Sequence, residues 1–259
     1  MRFLADLNVP LPRGFHLAAE AALVAKFQQA LRQDDPDIER ASALLEWDGR
    51  SVLVDTATDL RQQLLANRVS RVDALLYTHD HADHVHGVDD IRIFCTRSQA
   101  PLPAYAGADM CDFMRRTFRY IFTVNPGNLN VPRIELHPVD GPFELFGRTI
   151  TPVTVEHGDR PALGFRVGGL AYVPDCSAIP EASLGLLRGL DVLVLDALRP
   201  TPHPTHFSLG QALDAVARLE PKRAFLTGIC HRMPHAATEA ALPPRVRLAH
   251  DGLRVRVDD

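Results

Sequence analysis

Seven consecutive residues, Thr78-His79-Asp80-His81-Ala82-Asp83-His84, hold three histidines and two carboxylates directly after an apolar run. Neutral imidazole and carboxylate are the ligands of zinc, manganese and iron, and no thiolate lies within the string. A lone H-x-H reads more often as a solvated loop, whereas the full H-x-H-x-D-H string reads as a metal site. Further polar residues close later apolar runs: His157 after Thr149–Val155, Asp175 after Leu170–Val173, and Asp196 after Leu190–Leu195. Strand ends on one edge of a layered sheet converge in space, so residues far apart in the chain can share one site. His206 stands in a Pro- and His-rich loop with His203. Asp55 and Asp196 read as hydrogen-bonding strand ends rather than ligands, His86 as structural, and Cys176 as a small buried residue.

The elements that must position these groups follow from apolar spacing. Val72–Tyr77 is short, apolar and bounded by polar residues, the pattern of a buried strand. Side chains two apart on an extended chain share a face, so its end delivers His79 and His81 to one side. Asp48-Gly49 between Ala43–Glu46 and Ser51–Asp55 is a hairpin signal, and Asp59–Leu65 reads as a short helix. Asp109–Phe122 reads as helical, Asn125–Asn128 as a turn, and the basic run Arg115-Arg116 with Arg119 as facing solvent. Strands are expected at Arg133–Leu136, Phe143–Phe146, Thr149–Val155, Ala162–Val167, Leu170–Val173, Leu190–Leu195 and Arg223–Thr227. Ser208–Leu219 is the clearest helix, with capping-box spacing between Ser208 and Gln211 and an apolar stripe of Leu209, Leu213, Val216 and Leu219. Arg245–Val257 is expected to close the chain as a hairpin around Asp251-Gly252. Residues 1–40 carry no chemistry, and Leu17–Leu31 is rich in helix formers.

Composition narrows the class. The chain has 259 residues, 46% of them hydrophobic and 23% charged, ordinary for a globular protein with a real core. A net charge of −4 gives no general attraction for nucleic acid or anionic membrane. No run approaches the ~18 apolar residues of a membrane span, and the N-terminus lacks a signal-peptide pattern. The four cysteines are scattered with no C-x-x-C pair, which argues against a disulfide framework or a zinc knuckle and makes the cytoplasm the expected location.

Thr78–His84 with His157 and Asp175 resembles the metallo-β-lactamase superfamily of metal-dependent hydrolases. Asp55–Leu64, His84–Asp90, Pro204-Thr-His-Phe-Ser208 and Ala249-His-Asp-Gly-Leu253 are similar to its phosphoribosyl cyclic phosphate phosphodiesterase branch. The likeness begins near Ala41, leaving residues 1–40 as an atypical, helical N-terminal segment before a hydrolase domain over 41–259. It implies an α/β fold, the αββα four-layer sandwich, with one or two divalent ions, zinc or manganese, at the sheet edges. His79, His81 and His157 would hold the first ion, Asp175 would bridge, and Asp83 and His84 would serve the second. His206 matches the branch's histidine near the substrate phosphate, suited to protonating the leaving oxygen or binding the anion. Asp83 and His206 are thereby the residues nearest the chemistry. The implied activity is phosphodiester hydrolysis of a small cyclic or nucleotide-like phosphate by a metal-activated hydroxide, since a metal lowers the pKa of water towards ~7.

Two departures qualify the resemblance. The family's T-H pair, whose histidine completes the second metal site, is here Thr227-Gly228, so weakened or absent second-ion binding is expected unless His231 swings in. The usual glycine turn beside the metals has no counterpart in residues 1–40. Thioester or lactone hydrolysis is the rival activity. A non-catalytic protein that keeps a metal as a structural or sensing element is the rival class. The expected partner is a small phosphate ester, with no stable nucleic-acid partner and no membrane, and a homodimer is left open.

Overall fold

Strand alternation sets the layers. The computed structural model describes residues 42–98, 100–123 and 131–257, and the helix expected at Leu17–Leu31 and the turn at Asn125–Asn128 lie outside them. One five-stranded sheet runs β1 (Ala43–Trp47), β2 (Arg50–Val54), β3 (Ala74–Leu76), β4 (Leu102–Ala106) and β5 (Ile134–Pro138) in order across its width. A seven-stranded sheet holds β6 (Phe143–Leu145), β7 (Arg148–His157), β8 (Arg160–Val167), β9 (Leu170–Val173), β10 (Val192–Asp196), β11 (Arg223–Thr227) and β12 (Val246–Leu248), again neighbour to neighbour. β1 and β2 form the expected hairpin, with Asp48 and Gly49 both at positive φ. From β2 to β5 and from β9 to β12 the pairing is parallel, and from β6 to β9 it is antiparallel.

Parallel neighbours need crossover connections, and helices occupy them. Leu60–Ala66, Arg92–Ser98 and Ala108–Thr117 serve the first sheet, and Glu181–Leu184, Leu209–Leu219 and His235–Ala241 serve the second. The period of two then divides the apolar residues. Val52, Val54, Ala74 and Leu76 meet Leu145, Ile150, Phe165 and Tyr172 between the sheets. Leu53 and Leu75 face the other way, onto Leu60, Ile91, Phe94 and Met114. Leu193, Leu195 and Leu226 pack on Leu184, Ala212, Val216 and Leu219 beyond the second sheet. Each fully buried Leu or Val in these layers contributes roughly 1.5–3 kcal/mol. The layers run helix, sheet, sheet, helix.

Beyond the helices Arg92–Ser98, Glu181–Leu184 and His235–Ala241, which the sequence did not announce, three elements differ from expectation. Leu102–Ala106 is a central strand that Pro103 and the small residues around it disguise, although its burial alternates cleanly. The expected helix Asp109–Phe122 is split, Ala108–Thr117 then Arg119–Thr123, by non-helical Phe118 with ψ 42. The C-terminal hairpin does not form: Val246–Leu248 pairs parallel with β11, and residues 253–257 carry no strand. Leu253, Val255 and Val257 alternate in type but find only partial cover, so the alternation has no surface to pay for pairing. Arg115, Arg116 and Arg119 are exposed, as expected.

Candidate metal centre

The site starts from a bend. After β2 the chain turns at Asp55, a buried aspartate at φ 60, a conformation few non-glycine residues adopt. Its carboxylate faces the end of β3 and accepts from the Thr78 N–H at 2.9 Å and the Thr78 hydroxyl at 2.7 Å. Having given its proton to Asp55, that hydroxyl accepts from Nδ1–H of His79 at 3.0 Å. The lone pair of His79 therefore sits on Nε2, and this atom is buried without a hydrogen-bond partner. Asp55 also accepts from Nδ1–H of His84 at 2.7 Å. One carboxylate thus orients two imidazoles, one directly and one through a hydroxyl. His84 and Asp83 lie on the one-turn helix Ala82–Val85 that follows His81.

The second sheet supplies the rest. His157 is the last residue of β7, and its Nδ1–H donates to the Thr205 carbonyl at 2.6 Å. Asp175 follows β9 at φ 31, another bend at a strand end. Asp196 ends β10 fully buried, and its carboxylate accepts from the Phe207 N–H at 2.9 Å, the Cys176 N–H at 3.3 Å and Nδ1–H of His206 at 3.2 Å. The capping box of Ser208 and Gln211 fixes the start of the helix Leu209–Leu219, three residues beyond His206.

These ends converge on one oxygen. Around Oδ2 of Asp175 lie Nε2 of His84 at 3.3 Å, of His79 at 3.6 Å, and of His157 and His206 at 3.9 Å each. Nδ1 of His81 approaches Nε2 of His157 at 3.1 Å, so the fifth imidazole closes the same cluster. His79, His81, His157 and Asp175 each offer a ligand atom within 4.8 Å of the others, and so do Asp175, Asp196 and His206. In four of the five rings Nδ1 is tied to an oxygen and Nε2 is aimed inwards, the arrangement that metal-ligating histidines adopt.

Charge in the cluster is held rather than dispersed. Burial, helped by His84, pushes His79 far below the ordinary imidazole value, so it is neutral. Burial likewise lowers His157. Burial would raise the Asp175 carboxyl, but the hydrogen bond and charge of His84 outweigh it and bring it well below the usual range. His84 is raised: burial opposes its charge, and Asp55 and Asp175 on its two nitrogens win. For His206 burial also opposes charge, and its hydrogen bond to Asp196, the charge of Asp196 and then those of Asp175 and Asp83 raise it. Buried carboxylates thus attract positive charge to the space between them, and an unpartnered buried nitrogen faces that space. The residues present fit a divalent cation.

His79, His81, His84, His157, Asp175 and His206 are therefore brought together, with Asp83 close enough to act on His206 by its charge. His86 is exposed and lies against Phe118 instead. His231 is exposed and belongs to no group of prospective ligands among the described residues. Gly228 has φ +71, and a Cβ there would lie 2.7 Å from Oδ1 of Asp196. The space a side chain at 228 would enter is thus held by the Asp196 carboxylate. Sequence reasoning missed Thr205, whose carbonyl orients His157, and Arg160, which pairs with Asp80 at 3.1 Å on the rim. A backbone acceptor leaves no mark in sequence, and nothing in the spacing of Arg160 sets it apart. A cleft of ≈ 420 Å³, lined by His79, His81, His157, Asp159, Arg160 and Thr205, opens onto the cluster. That is room for a small-molecule ligand.

Comparison with known proteins agrees with this geometry. Residues 50–229 match the family described as the beta-lactamase superfamily domain. The crystal structure of a diphosphatase from the PhnP family superimposes with a TM-score of 0.77 at 41% identity, covering 83% of this chain and 82% of that one. An octanoyltransferase of Porphyromonas gingivalis is 32% identical over 225 residues, 85% of this chain but 45% of that protein. A ribonuclease Z of Mycobacterium bovis is 28% identical over 185 residues, 64% of this chain and 66% of that protein. The chain thus spans less than half of one curated relative and about two thirds of the other. No helix among the described residues is long and apolar enough to cross a membrane.

Proposed function

The chain belongs to the metallo-β-lactamase superfamily, in its PhnP-like branch, and on that premise we propose that it hydrolyses the phosphodiester of a small cyclic or nucleotide-like phosphate. The observation that carries a metal-dependent reaction is the buried, partnerless Nε2 of His79 beside three further inward-facing imidazole nitrogens and the Asp175 carboxylate. A phosphorus substrate is supported by the likeness to a solved diphosphatase at 41% identity. Zinc or manganese suits the donor set of imidazole and carboxylate.

His79, His81, His157 and Asp175 would hold one ion, and Asp83 and His84 would serve a second. When bound, such ions polarise a phosphoryl oxygen and make water acidic enough to attack at neutral pH. The chain's own groups do the rest. Asp55 and Thr78 fix the rings of His79 and His84, and the Thr205 carbonyl fixes that of His157. Arg160 on the rim offers a cation to the anionic end of a substrate entering the cleft.

The test is a substrate panel on purified protein loaded with manganese or zinc. Bis(p-nitrophenyl) phosphate and a cyclic nucleotide are expected to be cleaved, and elemental analysis is expected to find the ion bound. No bound transition metal and no phosphodiester cleavage would refute the proposal. A second reading, hydrolysis of an acyl thioester, draws support from the 32% identity to part of an octanoyltransferase. Cleavage of an octanoyl thioester with phosphodiesters untouched would decide for it.

A further inference from the structure

Gly228 leaves the second ion one histidine short of the family pattern, and the structure offers a replacement from another loop. We infer that His206 is a ligand of the second ion, completing a set with Asp83, His84 and the bridging Asp175, while Asp196 acts as its positioning residue. The inference rests on the metal-dependent reading given above.

His84 and His206 flank Oδ2 of Asp175 with their Nε2 atoms, at 3.3 and 3.9 Å. Each carries a fully or almost fully buried carboxylate on the other nitrogen, Asp55 on one ring and Asp196 on the other. A carboxylate on Nδ1–H fixes the tautomer with its lone pair on Nε2 and makes that lone pair a better donor to metal. The ring of His206 stands edge-on to that of His157, its centroid 4.8 Å away, so it belongs to the cluster rather than to the outer cleft.

Asp196 itself is spoken for. The Phe207 and Cys176 amides both donate to its Oδ2, and the His206 ring lies against both oxygens at 3.2 and 3.3 Å, so the carboxylate is anchored in the place from which it orients that ring. The glycine makes this arrangement possible. A Cβ at 228 would approach Oδ1 of Asp196 to 2.7 Å, so a histidine at 228 and Asp196 in its present position exclude one another.

Cobalt titration of the full chain, after chelation and dialysis, tests this through visible absorbance and elemental analysis rather than turnover. Wild-type protein is expected to take two ions, His206→Gln one, and His231→Ala two. Asp196→Asn should keep both but weaken the second by about 10–100-fold, the usual cost of losing an oriented outer partner. Two ions of unchanged affinity in His206→Gln would overturn the inference. So would a single ion in wild-type protein, which leaves the hydrolase reading standing, whereas no ion at all removes both. Should His206→Gln fail to fold, the wild-type cobalt protein still decides by proton NMR. The second equivalent should add two shifted exchangeable signals, from Nδ1–H of His84 and His206, and a single new signal would refute the assignment.

Discussion

Gly228→Ala separates packing from strain. Two costs act at 228, because φ is +71 and the new methyl would lie 2.7 Å from Oδ1 of Asp196. Placing a Cβ in the left-handed region costs roughly 1–2 kcal/mol. Forcing an atom into an occupied space adds roughly 1–3 kcal/mol. The carboxylate cannot retreat freely, since the Phe207 and Cys176 amides and the His206 ring hold it. Gly147 provides the control: its φ is +79, and a Cβ there would meet nothing within 4 Å. Gly147→Ala should therefore show the strain alone. At roughly 2–4 °C per kcal/mol for a chain of this size, Gly228→Ala should melt several degrees below Gly147→Ala, by calorimetry in chelator. The displaced Asp196 should also loosen the second cobalt ion. Equal melting temperatures for the two variants would refute the claim that Asp196 fills the space at 228.

Three further outcomes are expected. Asp55→Asn puts amide hydrogens where Thr78 and His84 now donate, so it should cost about 1–3 kcal/mol and weaken ion binding; a wild-type melting curve and an unchanged cobalt affinity would contradict this. Zinc or manganese at a hundred times its dissociation constant should stabilise the protein by about 2.7 kcal/mol, read as a higher melting temperature that EDTA reverses, and an unmoved melting temperature would count against the metal site. Burial raises the Asp73 carboxyl, but Arg71, the Ser51 N–H and Arg50 together lower it. A lowered folded value makes its contribution present above the unfolded value near ~4 and lost as pH falls through the folded one. The melting difference between wild type and Asp73→Asn should accordingly be flat at neutral pH and shrink below about pH 4; a difference that grows on acidification would reverse the sign.

Local chemistry wrote most of the fold into the sequence, and tertiary packing hid the remainder. Asp48-Gly49, the Ser208–Gln211 cap and the apolar run after Val72 are short-range signals, and each appears where its residue types require. β4 escaped because proline inside a strand normally argues against one, while its neighbours β3 and β5 impose the extended path regardless. The C-terminal alternation misled for the opposite reason, since a period of two pays nothing without a surface to cover it.

The site divides along the same line. Residue types announced that imidazoles and carboxylates would meet, because ligand chemistry belongs to the side chain itself. Which ring nitrogen faces inward belongs to the partner on the other nitrogen, and those partners come from elsewhere: Asp55 for His84, the Thr205 carbonyl for His157, Asp196 for His206. Gly228 is the clearest case. In sequence it is a missing ligand, and the natural conclusion is a weakened second site. In space it is room for a carboxylate that turns another histidine towards Asp175. A gap in a motif therefore reports what one position lacks, and only the packing around it reports whether the function went with it.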